Sequence, residues 1–157
     1  GCTLMTKRST AENTGAGANL DALVIEPYAN PFRVYPLVED YEKFKALFDK
    51  GVDCYIINTG DFLGKKVTKE VSLGVIETLV DGKANFELFG GLPGMEYLPV
   101  EGYEVPDMNG EYAELIRDRM QFRLDYLKAF NDANPEHQIP QDALESIKTI
   151  ERFIDVL

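Results

Sequence analysis

At 157 residues, with 45% hydrophobic and 11% aromatic side chains, the chain has the length and the apolar material for one domain with its own core. Sixteen basic against 27 acidic side chains leave a formal charge of -11, which repels nucleic-acid backbones and anionic lipid headgroups and excludes both as expected partners. No apolar run approaches the roughly 18 residues of a membrane helix and no basic-then-apolar leader opens the sequence, so a cytoplasmic location is expected; Gly1-Cys2 raises the one alternative, a lipid-modified cysteine at a processed end.

Residues 3–19 are polar, glycine-bearing and aperiodic, the composition of a mobile loop; Lys7 and Arg8 within it either solubilise a frayed end or contact an anion from a lid. A short aliphatic run follows at 22–26, and Pro27, Asn30, Pro31 and Pro36 then punctuate turns or an edge strand. From Leu37 the spacing of Leu37, Tyr41, Phe44 and Phe48 predicts an amphipathic helix that Gly51 ends. Cys54-Tyr55-Ile56-Ile57 reads as a strand buried on both faces, and both cysteines, Cys2 and Cys54, are expected as reduced thiols. A second helix is predicted over 68–80, with Thr68 as N-cap and Val71, Val75 and Leu79 on one side. Short strand pieces at 85–89 and 95–98 are broken by Gly90-Gly91 and Leu92-Pro93-Gly94. The strongest helical stripe, Tyr112, Ile116, Met120, Leu124 and Leu127, covers about 110–131, with Pro135 closing it. A last helix opens at Pro140 and turns Leu144, Ile147, Ile150 and Ile154 inward. Helix, strand, loop and helix in this order predict an α/β fold, a mixed sheet with flanking helices, in a single domain over 1–157.

The best candidate for chemistry is the run from Asn58 to Thr68, which leaves the predicted buried strand and enters a helix, the place where α/β sheets collect ligands. Helix-start N–H groups attract anions, and Lys65 and Lys66 add positive charge in a chain with little to spare. The glycine spacing and the missing Ser or Thr after the lysine exclude a Walker motif; an ordinary solvated connection is the bland alternative. His137 is the single histidine, in a polar connection, so a histidine-based metal centre has no ligand set. Neither Ser72 nor Ser146 sits in a nucleophile elbow. Glu101, Glu104 and Asp107 form an acidic loop that either binds a hard cation or is solvated surface.

Asn58-Thr59-Gly60 after a strand, then Gly64-Lys65-Lys66-Val67 and a helix, resembles ATP-dependent phosphoenolpyruvate carboxykinase, which has Asn-Thr-Gly, a glycine-rich loop and Gly-Lys-Arg plus a hydrophobic residue in the same order. Phe86, the Leu92-Pro93-Gly94-Met95 turn, and Pro106 with the long helix after it are similar to the family's C-terminal segments. Thr6, Arg8 and Gly15 weakly resemble the mobile lid. The resemblance implies that this is the C-terminal part of a carboxykinase-like fold, with Lys66 in place of a nucleotide-contacting arginine, Val67 as its neighbouring contact, Ser72 in place of a nucleotide-binding threonine, and Lys65 beside them. Asp61 stands where the family carries an aromatic. The family decarboxylates oxaloacetate and transfers a phosphoryl group from ATP with Mg or Mn; its P-loop, metal ligands and substrate arginines lie upstream of the part this chain resembles. The resemblance therefore implies no catalytic residue and no metal ligand here, no tightly bound cofactor, the remaining N-terminal part and a nucleotide as partners, and no turnover by the chain alone. The competing reading is a non-enzymatic ligand-binding or interaction module on the same scaffold; a fragment should expose an apolar patch that a module would have covered.

Overall fold

The computed structural model describes residues 5–7, 23–25, 27–30, 32–92 and 94–155. Strand β1 (Met5–Lys7) pairs antiparallel with β2 (Leu23–Ile25), Met5 opposite Ile25. Residues 5–7, expected inside a mobile loop, are thus extended and paired, while Cys2, Arg8 and the rest of the expected lid lie outside the described residues. A single 3-10 turn, Pro27–Ala29, places Tyr28 at φ 58° and leads towards helix α1 (Leu37–Asp49). The approach is pinned by side chains: Arg33 donates to the Pro27 carbonyl (2.6 Å) and to Asp40 (2.8 Å), and the Tyr35 hydroxyl donates to the other Asp40 oxygen (2.9 Å).

Two short hairpins and a helix follow: β3 (Asp61–Phe62) with β4 (Lys65–Lys66), then α2 (Lys69–Val80), then β5 (Glu87–Leu88) with β6 (Glu96–Tyr97). Helices α3 (Gly110–Ala133) and α4 (Gln141–Ile154) complete the chain and pack on each other. The architecture is mixed helix and strand, but among the described residues the strands form three separate two-stranded antiparallel pairs rather than one sheet with flanking helices.

The predicted stripes built the core. Met120 and Leu124 of α3 meet Leu144 and Ile147 of α4, with Leu37 from α1 and Ile139 from the connection completing the cluster. Next to it, Leu92, Ala113 and Ile154 bury a smaller group under Phe89 and Met108. The α3–α4 connection is clamped by Asn131, whose side chain accepts from the Ile139 amide (2.7 Å) and donates to the Ile139 carbonyl (2.9 Å). Pro140 stands at the N-cap position, one residue before the helix rather than within it.

The central strand expected at 54–57 is not there. Residues 52–59 have no regular secondary structure, and Tyr55, Ile56 and Ile57 are 53%, 72% and 39% exposed. Cys54, expected inside that strand, is an exposed free thiol. The physical reason is the lack of paired strands: a strand buried on both faces needs them and two covering layers, and none of the described strands pairs with this run, although Phe86 stacks on Tyr55 at 5.7 Å. The same shortage strips α1 of cover towards its end, where Phe44 and Phe48 are exposed, and leaves α2 with no buried residue.

Candidate functional site

The run from Asn58 to Ser72 folds into a tight local unit, and each step of it has a cause in the sequence. Asn58 makes an Asx turn: its carbonyl oxygen accepts from the Gly60 amide (2.9 Å) and its amide group donates to the Asp61 carbonyl (3.0 Å). Leu63 and Gly64 then form the two-residue loop of the hairpin, with φ of 49° and 79°. Positive φ at both loop positions matches the right-handed twist of paired strands; glycine takes it without cost, whereas leucine does so under strain. The register sets Asp61 opposite Lys66 and Phe62 opposite Lys65. The Val67 amide donates to the Gly60 carbonyl (2.8 Å), closing the base of the hairpin, and Thr68 caps α2 by accepting from the Val71 amide (3.4 Å).

The four residues assigned to nucleotide contact lie on this one unit, but in different surroundings. Val67 is 8% exposed, the one buried residue between Lys50 and Gly91. Lys66 is exposed, and its ammonium group pairs with no described residue. Ser72 donates to the Thr68 carbonyl (3.2 Å), so its hydroxyl is directed back along the first turn of α2. Lys65 turns away from the helix start: its ammonium donates to the Gly102 carbonyl and lies 4.4 Å from the centre of the Tyr103 ring. Lys7 ends β1, and Arg8 lies outside the described residues.

Tyr103 is the contact that sequence reasoning missed. Its hydroxyl donates to the Lys66 carbonyl (2.6 Å), and its ring meets Phe62 edge-on at 6.4 Å. The acidic loop also has a local role. Its Gly102 amide donates to Glu104 (2.8 Å), and main-chain donation from Glu104 itself and from Gly102, with the charge of Lys65 adding, holds the Glu104 carboxyl below its ordinary range. Among the described residues, no group of three His, Cys, Asp or Glu side chains is arranged to hold a metal ion, and His137 is exposed in its turn.

A cavity of about 300 Å³ opens elsewhere, lined by Tyr28, Leu37, Tyr41, Met120, Arg123 and Ile147 among others, and by none of the hairpin residues. Its polar groups are already engaged: the Tyr41 hydroxyl donates to Asp142 (2.8 Å), Ser146 to the Asp142 carbonyl (2.8 Å) and Arg123 to the Arg119 carbonyl (2.7 Å). Among the described residues, Arg123 is the one cationic side chain in a lining that is otherwise mostly apolar. Comparison with protein-family models, with curated proteins and with solved structures finds no match for this chain. Among the described residues, no helix is long and apolar enough to cross a membrane.

Proposed function

We propose that this chain is the C-terminal, nucleotide-contacting portion of a cytoplasmic enzyme resembling ATP-dependent phosphoenolpyruvate carboxykinase, which converts oxaloacetate and ATP to phosphoenolpyruvate, ADP and carbon dioxide. The observation that carries the reading is the β-favouring run at 54–57: it leads straight into the Asn58–Val67 unit, yet it is exposed and unpaired. A ligand loop at the end of a strand belongs to a sheet, and the strands that would flank this one are supplied by the remaining part of the parent enzyme. Leu73, Ile76 and Val80 on α2 and Leu88 on β5 are exposed as well, and exposed apolar groups are what a fragment shows where a missing part docks.

In this role Lys66 supplies the positive charge. Its ammonium is a compact point charge without the planar guanidinium that stacks on a base, so it pairs with a phosphate or ribose oxygen. Asp61, directly opposite in the hairpin, reduces the net field at that point. Among the described residues no group of three His, Cys, Asp or Glu side chains is arranged to hold a metal ion, and in this reading the divalent cation's ligands, like the phosphate cradle, belong to the remaining part. Affinity of the isolated chain for ATP is therefore expected in the millimolar range, about -4 kcal/mol.

The test is an amide-resolved NMR titration of the chain with ATP. Shifts clustered over 58–72 that Lys66→Ala abolishes are expected; no shifts there at saturating millimolar ATP contradict the reading.

A further inference from the structure

We propose that Tyr103 and Lys65 act together as positioning residues that aim Lys66 at the nucleotide, so that of two adjacent lysines one is a strut and the other the ligand contact. The inference rests on the reading of the site given above and assigns to the 101–104 loop a role that the motif residues themselves do not reveal. Consecutive side chains of a strand point to opposite faces. Phe62 and Lys65, directly opposite in the hairpin, both touch the Tyr103 ring, which makes theirs the clamped face. Asp61 and Lys66 occupy the other face, and Lys66 is in solvent. The clamp has three parts. Lys65 donates to the Gly102 carbonyl, its charge lies over the Tyr103 ring, and the Tyr103 hydroxyl fixes the carbonyl of Lys66 itself. Gly102 is part of the fit: it has φ 77°, and a Cβ there would lie 2.8 Å from the Lys65 nitrogen.

An ammonium held by a carbonyl and an aromatic face has given up much of its capacity to meet an incoming phosphate. The Lys66 ammonium is paired with no described residue, but its aim depends on the orientation of a peptide that Tyr103 holds. Losing the Tyr103 hydroxyl should loosen that orientation and weaken ATP binding without removing a group that touches ATP.

The experiment uses the full chain, with ATP as the probe and two NMR readouts. In the free chain the ε-methylene protons of Lys65 are expected upfield, shifted by the Tyr103 ring current. ATP should move Lys66 and Val67 while leaving that upfield shift in place. Tyr103→Phe should raise the Kd for ATP about fivefold, the size of one ordinary hydrogen bond. Lys65→Met should weaken binding similarly, and Lys65→Arg, which still donates to a carbonyl and stacks on the ring, should restore it. Loss of the Lys65 upfield shift on adding ATP would make Lys65 itself the ligand and overturn the assignment, as would wild-type affinity in both Tyr103→Phe and Lys65→Met. Shifts over 58–72 without any ring-current shift of Lys65 sink the positioning role alone. A ring-current shift with no ATP response anywhere removes the nucleotide reading and the positioning role together.

Discussion

Two regions of this molecule use the same kinds of side chain with opposite outcomes. In α3 and α4 the aliphatic stripes meet each other, and Met120, Leu124, Leu144 and Ile147 are buried together. Between Lys50 and Gly91 the chain carries Ile56, Ile57, Leu73, Ile76, Val80 and Leu88, and every one of them is exposed. Apolar content alone does not make a core. An amphipathic helix is stabilised by the surface it packs against, and α3 and α4 find that surface in each other across a short connection. The run at 54–57 and α2 are not buried by the described residues, and they flank the hairpin proposed to touch the nucleotide. The comparison teaches that one part of the described chain closes on itself while the other leaves its apolar groups in water, which is what the proposed function asks of a segment that docks on further elements.

The sharpest way to break the comparison is to delete matched apolar groups on both sides. Leu124→Ala should cost about 2–5 kcal/mol through lost burial and a residual cavity, whereas Ile56→Ala and Ile76→Ala should each cost less than about 0.5 kcal/mol, as at ordinary surface sites. Urea unfolding followed by circular dichroism reads all three, and a large loss at Ile56 would mean that the strand is core after all.

Next in size is the clamp in the part that closes on itself. Asn131→Ala removes both bonds to the Ile139 backbone and leaves a half-buried donor and acceptor unpaired, for a loss of about 1–3 kcal/mol. A wild-type urea midpoint would show that the α3–α4 connection holds without it.

A smaller, pH-dependent effect should separate the two regions without touching an aliphatic residue. Burial, then the hydrogen bond to Asp142, pushes the Tyr41 hydroxyl from its ordinary 10.0 up to about 12. The folded state thus holds this proton where the unfolded chain has released it. The contribution is fully present below pH 10 and is lost as pH rises from 10 to about 12. Tyr41→Phe should flatten the alkaline fall of the unfolding midpoint over that window; an unchanged fall would assign it to other groups.

The smallest change sharpens the picture of the hairpin. Leu63 is held at φ 49°, a region that asparagine enters more readily. Leu63→Asn should therefore stabilise the hairpin by up to about 1 kcal/mol, seen as slower amide exchange over 61–67. Faster exchange there would point to a packing role for the leucine.

What was legible in the sequence was the local pattern. Period-3.6 stripes located the four α-helices of the described residues and the inward residues of α3 and α4, because in that pair the residues that a helix face gathers also meet a partner. The turn at 58–60 and the Thr68 cap were legible too, since turns and N-caps are decided by neighbours in sequence, but of the β3–β4 hairpin between them the sequence shows only a connection from strand to helix. The strand at 54–57 was misread because an unbroken β-favouring run records what a segment is suited to, whereas pairing depends on a neighbouring strand, and none of the described strands lies beside it. Val71, Val75 and Leu79 were placed on one side of α2 correctly as a pattern, but nothing covers them enough to bury them. The division of labour between Lys65 and Lys66 was invisible for a different reason: it depends on Tyr103, 37 residues downstream of Lys66, and one sequence carries no sign of that contact.

The claim that one part of the described chain closes on itself while the other does not is tested most directly by residue-resolved hydrogen exchange on the chain by itself. The account predicts strong protection for the amides of α3 and α4 facing Met120, Leu124 and Ile147, and exchange close to unstructured rates at 53–57, where no strand pairs with the backbone. Protection at 54–57 comparable to that of α3 would show a strand fully paired within this chain and contradict it.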